Sequence, residues 1–166
     1  MCIRDRGEEL RVGIAWGGNP SHTREAQRSI QLERLEPLTR IAGTVFYSLQ
    51  KGPAAAQLQR KPPGMRLIDL DAQQADFADT AAIVANLDLV ISIDTSVAHL
   101  AGAMGKPVWI LLHSLPDWRW LLDRQDSPWY PTARLFRQSA AGDWSDVVDR
   151  LSTELRRMLE NRDCQN

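Results

Sequence analysis

The chain has 166 residues, of which 43% are hydrophobic and 25% charged, and its formal net charge is −1. This composition is typical of one globular domain with its own core, and it argues against a nucleic-acid partner and an acidic disordered tail. The longest apolar stretch, residues 108–112, has the length of a strand, so we expect no transmembrane segment. Cys2 and Cys164 lie near opposite ends of the chain and suggest neither a disulfide framework nor a metal site. We expect a cytoplasmic protein, with peripheral attachment at the inner membrane left open.

Short apolar runs alternate with helical patterns along the chain. Strands are predicted at residues 10–16, 44–49, 65–70, 89–93, 108–112 and 134–137. Helices are predicted at residues 32–41, 54–58, 81–87, 97–104 and 145–159, with an irregular or one-helix segment rich in tryptophan at 116–124. Ser29 is the expected cap of the first helix and Asp79-Thr80 that of the third. Because most strands are apolar on both faces, we predict an α/β fold, a Rossmann-like parallel sheet flanked by helices.

The expected domain covers residues 8–160. Residues 1–7 have no periodicity and are interpreted as a non-native or linker segment, and residues 161–166 as a disordered tail. In an open parallel sheet, ligands bind beyond the carboxyl ends of the strands. That rule selects the loops at residues 17–22, 50–52, 94–96 and 113–117.

The strongest candidate for binding chemistry is the run from Asp94 to His99, which follows a buried strand and opens a helix. A helix N-terminus offers free N–H groups and partial positive charge, and the hydroxyls of Thr95 and Ser96 add donors for a phosphate. His99 lies one turn further on the same face. An equally weighted alternative is a plain capped helix, with Asp94 or Thr95 as the cap and His99 packed under a loop.

Weaker candidates lie in the first two loops. Gly17 and Gly18 could let the backbone approach a diphosphate, although an ordinary turn is favoured when this motif is taken alone. Arg28 could clamp a phosphate, whereas a solvated surface charge is favoured for Arg24.

Further candidates follow the second strand and the fifth. Gln50 and Lys51 end the second strand, and the lysine is a candidate contact for a ribose or a phosphate. Trp118, Trp120 and Trp129 could form a stacking surface for a base or a partner, or simply pack the end of the sheet and a domain interface. Trp109, inside a strand, is assigned to the core.

Several enzyme classes lack their minimum parts in this sequence. It has no Gly-x-Ser-x-Gly turn, no Walker-type phosphate loop and no cysteine–histidine pair at metal spacing, which argues against hydrolases, ATPases and zinc sites. The glycine pattern of dinucleotide-dependent reductases is also missing. We therefore expect no metal and no cofactor.

Taken in order, these motifs resemble the C-terminal domain of glycosyltransferase family 9, which includes the ADP-heptose:lipopolysaccharide heptosyltransferases. The similarity covers residues 10 to about 159. Within this family, the sequence most resembles the domain found at the C-terminal end of certain bacterial tetratricopeptide-repeat proteins. The motifs are Val-Gly-Ile-Ala-Trp at 12–16, Arg-Ser-Ile at 28–30, Ser-Leu-Gln-Lys-Gly at 48–52, Asp-Phe-Ala-Asp-Thr at 76–80, Asp-Thr-Ser-Val-Ala-His at 94–99 and Gly-Lys-Pro-Val-Trp at 105–109.

The resemblance implies the C-terminal half of a glycosyltransferase-B-type fold, which binds a nucleoside-diphosphate sugar without a metal for inverting transfer. It places Asp94, Thr95, Ser96 and His99 at the diphosphate and the sugar, with Arg28 and Lys51 as secondary contacts. The acceptor, a glycan or a protein, and the catalytic base belong to an N-terminal domain that we expect to be absent from this chain. The catalytic residue is therefore unknown. The competing interpretation is a non-catalytic binding or interaction module attached to tetratricopeptide repeats.

Overall fold

The computed structural model describes residues 9–163, whose strands form one parallel sheet. The strands are β1 (Leu10–Ala15), β2 (Thr44–Ser48), β3 (Leu67–Asp69), β4 (Leu89–Ile93), β5 (Val108–Leu112) and β6 (Ala133–Arg137). Their order across the sheet is β3-β2-β1-β4-β5-β6. This is the strand order of the Rossmann fold, in which the direction of winding reverses between the first and fourth strands. The predicted α/β class is confirmed.

Helices cover both faces of the sheet. The α-helices are α1 (Glu25–Arg28), α2 (Phe77–Ala85), α3 (Ser96–Ala103) and α4 (Ser145–Asp163), and 3₁₀ helices cover Leu32–Arg40, Pro53–Arg60, Asp71–Gln73 and Trp118–Trp120. The 3₁₀ helix Leu32–Arg40 and α4 pack on one face, and α2 and α3 contribute to the core on the other. None of the helices in residues 9–163 is both long enough and apolar enough to cross a membrane.

Strands β4 and β5 contribute side chains to the cores on both faces of the sheet. Every residue of β4 and β5 is buried, and their side chains alternate between the faces. Leu89 and Ile91 join the core under α4, whereas Val90 joins the core under α3. Full burial of a leucine or isoleucine stabilises a fold by about 1.5–3 kcal/mol, so strands buried on both sides fix the sheet strongly. Trp109 is 8% exposed and belongs to the core, as predicted.

The first predicted helix is a 3₁₀ helix rather than an α-helix. Its buried residues Leu32, Leu35 and Leu38 recur every three residues, which matches three residues per turn. Pro37 lies inside it and has no N–H to donate, which further disfavours α-helical bonding. The prediction that Ser29 caps this helix is wrong, because the serine hydroxyl bonds Glu25 and the N-cap position is Gln31.

Other boundaries also differ from the prediction, and those of α2 and α4 bear on its caps and its tail. Helix α2 begins at Phe77, and its cap is Asp76, whose Oδ1 accepts from the N–H of Asp79 at 2.9 Å. Asp79 instead accepts from the N–H of Ala75 at 3.0 Å. At the other end of the chain, α4 continues to Asp163, so residues 161–163 are helical rather than part of a disordered tail. The expectations for residues 1–7 and 164–166 lie outside the described residues.

Candidate functional site

The candidate site lies where β1 and β4 run side by side. Their register pairs Val12 with Leu89 and Ala15 with Ser92, so both strands end at the same edge of the sheet. Their connecting helices leave toward opposite faces, which opens a crevice between the loop after Ala15 and the loop after Ile93. The strongest candidate from the sequence lies in the loop after Ile93, and weaker ones lie in the loop after Ala15.

The loop after β1 is braced by Gln50. The amide oxygen of Gln50 accepts from the N–H groups of Trp16 and Gly17 at 2.9 and 2.7 Å, and its amide nitrogen donates to the carbonyls of Gly17 and Lys51 at 2.9 and 2.7 Å. Two acceptor positions and two donor hydrogens are the full capacity of this side chain. Gln50 borders the crevice, but its amide has no hydrogen bond left for a ligand.

The glycine loop is also closed to anions by its own contacts. The N–H of Gly18 donates to Oε1 of Glu25 at 2.6 Å, and that carboxylate also bonds the hydroxyl of Ser29. A Cβ atom on Gly17 would lie 2.4 Å from Cβ of Ala54, so this glycine is needed for packing. The structure therefore does not support the prediction that the backbone at Gly17 and Gly18 approaches a diphosphate. The N–H groups of both residues already donate to side chains.

Asp94 is the centre of an ionic cluster at the end of β4. The guanidinium of Arg28 donates to the backbone carbonyl of Asp94 and lies 3.7 Å from its Oδ2, and Nε2 of His99 lies 3.5 Å from its Oδ1. Burial alone would raise the pKa of this carboxyl, but His99, Trp120 and the charge of Arg28 outweigh burial and hold the pKa below its ordinary value. Trp120 contributes to this lowering of the pKa, although its indole N–H makes no hydrogen bond of normal geometry. Asp94 is thus an ionised brace of the loop.

His99 is held from two further sides. Its Nδ1 lies 2.9 Å from the hydroxyl of Tyr130, and its ring stacks on Trp120 with centroids 5.3 Å apart. Trp120 is fully buried, whereas Trp118 and Trp129 are 69% and 57% exposed. The tryptophan segment therefore divides into one residue that packs behind His99 and two that face solvent.

Thr95 and Ser96 lie at the N-terminus of α3. Thr95 occupies the N-cap position without bonding the helix through its side chain, and its hydroxyl lies 3.0 Å from that of Ser92. Ser96 is exposed, and both residues line the crevice. The alternative in which Asp94 or Thr95 caps the helix by a side-chain bond does not occur.

Two cavities meet at this point. A cavity of about 680 Å³ extends toward β2 and α2, past Lys51, Gln74 and Phe77. A second of about 430 Å³ extends toward the loop after β5. Arg28, Thr95 and Ser96 line both. A ligand bound at the N-terminus of α3 can therefore extend in either direction.

The structure places Lys51 at the rim of the larger cavity. Its Nζ binds the carboxylate of Asp71 at 2.7 Å, with about half of each side chain exposed. In the same cavity, Phe77 is 62% exposed, and Gln74 is 2% exposed with no hydrogen-bond partner for its amide oxygen. Neither Gln74 nor Phe77 was selected from the sequence, although Asp-Phe-Ala-Asp-Thr was among the quoted motifs.

Sequence reasoning missed other residues of the site. Glu25 and Tyr130 act on the loops through contacts with residues 7 and 31 positions away, so no local pattern reveals them. His113 was inside a selected loop, and its position directly after β5 was the available signal. Residues 9–163 contain no group of three or more histidine, cysteine, aspartate and glutamate side chains arranged to hold a metal ion.

Known proteins share both sequence and fold with this chain. Residues 44–114 match the sequence model of glycosyltransferase family 9 (heptosyltransferase). The resemblance to glycosyltransferase family 9 is thereby confirmed. The matched part contains Gln50, Lys51 and the run from Asp94 to His99, while Gly17, Gly18 and Arg28 lie before it.

Solved structures of glycosyltransferases extend the similarity in fold to most of the chain. Heptosyltransferase II of E. coli aligns with a TM-score of 0.66 at 15% identity, covering 94% of this chain and 48% of that one. The family 9 glycosyl transferase of Veillonella parvula aligns with a TM-score of 0.62 at 12% identity, covering 95% and 47%. E. coli heptosyltransferase WaaC, solved with ADP-2-deoxy-2-fluoro heptose, aligns with a TM-score of 0.61 at 14% identity, covering 93% and 44%. These likenesses establish the fold.

A relative in sequence is Protein FlbA of Caulobacter vibrioides. It is 31% identical over 157 residues, which cover 90% of this chain and 26% of FlbA. The chain thus spans about a quarter of that relative and just under half of the solved structures. Residues 44–114 are therefore similar in sequence to family 9 glycosyltransferases, and the chain has the fold of the solved heptosyltransferases.

Proposed function

We propose that this chain is the donor-binding domain of a metal-independent, inverting glycosyltransferase of the heptosyltransferase type. Its ligand would be a nucleoside-diphosphate sugar, and its acceptor site and catalytic base would belong to a separate N-terminal domain. The main observation in support of this proposal is that the N-terminus of α3, with Thr95 and Ser96, lies where the two cavities meet. WaaC, solved with an ADP-linked fluoro-heptose, supplies the precedent for such a ligand in this fold.

The proposed ligand is divided among three parts of the crevice. The diphosphate lies at the N–H groups of α3 and the hydroxyls of Thr95 and Ser96, where the helix dipole favours negative charge. The base and ribose extend into the 680 Å³ cavity, where the exposed ring of Phe77 offers a stacking face. The sugar extends toward His99. Donors fixed at the leaving diphosphate stabilise the charge that develops as the glycosidic bond breaks.

A second candidate is a non-catalytic binding module beside tetratricopeptide repeats. It is favoured by the internal use of the Gly17 and Gly18 N–H groups and by the solvent-facing Trp118 and Trp129. Exposed aromatic side chains are frequent at protein–protein interfaces. This module would keep the fold without binding a nucleotide.

Calorimetric titration with ADP and with UDP, each with and without magnesium, distinguishes the two. We expect weak binding of one nucleotide that magnesium does not change. Thr95→Ala should weaken it about tenfold, since one hydrogen bond to a charged group contributes about 1.5–3 kcal/mol. Thr153→Ala, which alters an exposed threonine of α4, is the matched control.

Three results would count against this proposal, either against its metal-free mechanism or against the donor site itself. Strict dependence on magnesium would refute the metal-free mechanism. Absence of nucleotide binding by the folded protein would favour the interaction module. If His99→Ala unfolds the domain while Thr95→Ala leaves affinity unchanged, the run from Asp94 to His99 has only a structural role. We also expect no glycosyl transfer by this chain alone, and measurable turnover would place the catalytic group within it.

A further inference from the structure

The smaller cavity has an unusual set of side chains for a site that would hold a neutral sugar. It has a volume of about 430 Å³ and shares Arg28, Thr95 and Ser96 with the lining of the larger cavity. Its lining is rich in basic and imidazole groups. They are His22, Arg24, Arg28, His99, His113 and Arg119, with Asp94 and Asp117 as the acidic members.

The acidic members are already paired. Asp94 lies against Arg28 and His99, and Asp117 binds Arg119 at 2.8 Å. Arg24 is exposed, and its guanidinium forms no ion pair with any residue between positions 9 and 163. The cavity therefore carries one positive charge more than its carboxylates balance.

His113 lines the smaller cavity together with the arginines. It is buried, and its Nδ1 accepts from the N–H of Leu115 at 3.3 Å, so in the neutral ring Nε2 carries the proton. Burial lowers the pKa of His113, and the charges of Arg28 and Arg24 lower it further, against the opposing effect of Asp94. At neutral pH this ring is an uncharged N–H donor in a positive environment.

We propose that this cavity binds an oxyanion, a carboxylate in the simplest case, carried by the transferred sugar, so that the donor holds an acidic rather than a neutral sugar. This inference rests on the proposed function, because it takes the diphosphate to lie at Thr95 and Ser96, which line both cavities. A sugar attached there reaches the smaller cavity directly. Its carboxylate meets the guanidinium of Arg24 and the N–H groups of His22 and His113. A neutral sugar leaves Arg24 without a counter-charge.

The test uses base-free probes, so that the identity of the nucleotide does not decide the outcome. Glucose 1-phosphate, glucuronic acid 1-phosphate and free glucuronic acid are titrated by NMR against the chain, with the imidazole signals of His113 as the readout. We expect glucuronic acid 1-phosphate to bind about tenfold more tightly than glucose 1-phosphate, and free glucuronic acid to bind more weakly than its 1-phosphate. Arg24→Ala should remove the preference for the acid. Arg156→Ala, which removes an exposed arginine of α4 outside the cavity, should keep it.

Each contrary outcome overturns the assignment. Equal affinity for the two sugar phosphates, or binding of neither, would show that the cavity does not select an acidic sugar. Free glucuronic acid binding as tightly as its 1-phosphate would assign the cavity to a separate anionic molecule, such as an acceptor, instead of the donor. In each case nucleoside diphosphate binding, measured in parallel, reports independently on the proposed function. Because Arg24 is exposed, its replacement should leave the fold intact, which circular dichroism verifies.

Discussion

Replacing Gln50 by alanine should destabilise the whole domain, although the residue lies at the rim of a ligand cavity. Gln50 is 3% exposed, and its amide makes four hydrogen bonds to the backbone of residues 16, 17 and 51. Truncation removes all four and leaves the buried N–H groups of Trp16 and Gly17 without acceptors. These two groups define the expected loss.

The expected loss of stability follows from the number of buried N–H groups that are left without an acceptor. A buried polar group left without a partner costs about 1–3 kcal/mol. The cavity beside the loop encloses about 680 Å³, so water can reach part of the vacated space and reduce the cost. We therefore expect Gln50→Ala to lower the free energy of unfolding by about 3 kcal/mol, near the low end for two donors plus lost packing.

Urea unfolding followed by tryptophan fluorescence measures this change. Gln50→Met separates hydrogen bonding from volume, because methionine fills the space without replacing the bonds, and it should cost nearly as much as alanine. Gln59→Ala, at an exposed glutamine of the 3₁₀ helix Pro53–Arg60, should stay within about 0.5 kcal/mol of the wild type. A Gln50→Ala protein as stable as the Gln59→Ala control would refute the bracing role.

Three further predictions concern single contacts. In Gly102→Ala, the new Cβ would lie 2.5 Å from the ring of Tyr130, so we expect the free energy of unfolding to fall by about 1–3 kcal/mol. An unchanged midpoint of urea unfolding would contradict this contact. Asp76→Ala removes the cap of α2 and should cost about 1 kcal/mol, whereas a loss below about 0.3 kcal/mol would exclude a capping role. The pKa of Asp94 is lower in the folded protein than its ordinary 3.8, so its ionised form stabilises the fold above that pH and this stabilisation is lost as pH falls through the folded pKa. The stability difference between wild type and Asp94→Asn should thus shrink as the pH falls below 3.8, and a difference that does not change with pH would contradict it.

The central sheet could be predicted from sequence because its strands are apolar on both faces. The bounds of β4 and β5 agree with the predicted residues 89–93 and 108–112. Helix α1 was missed because none of its four residues is buried, so it has no apolar pattern to detect. Contacts with Gly18 and Asp94 hold it instead. Helices without an apolar face depend on tertiary partners, which a local pattern does not reveal.

The candidate site was predictable to the level of loops, but not of hydrogen bonds. The rule for parallel sheets brought the ends of β1, β2, β4 and β5 to one edge. It could not show that the amide of Gln50 hydrogen-bonds to backbone groups 33 and 34 positions earlier in the chain. Nor could it show that Tyr130 binds His99, which lies 31 positions earlier. Such pairs depend on how the loops pack after the sheet has formed.

The distribution of free N–H groups decides which loop can serve an anion. In a dinucleotide-binding Rossmann domain, the glycine-rich turn after the first strand approaches the pyrophosphate. Here the corresponding N–H groups at residues 16, 17 and 18 are bonded to Gln50 and Glu25, and the carboxylate of Glu25 occupies the place that an anion would take. The N-terminus of α3 has no side-chain cap, and Ser96 there is exposed. We therefore infer that β4, rather than β1, presents the anion-binding turn, so a phosphate and the carboxylate of Glu25 need not compete for the same donors.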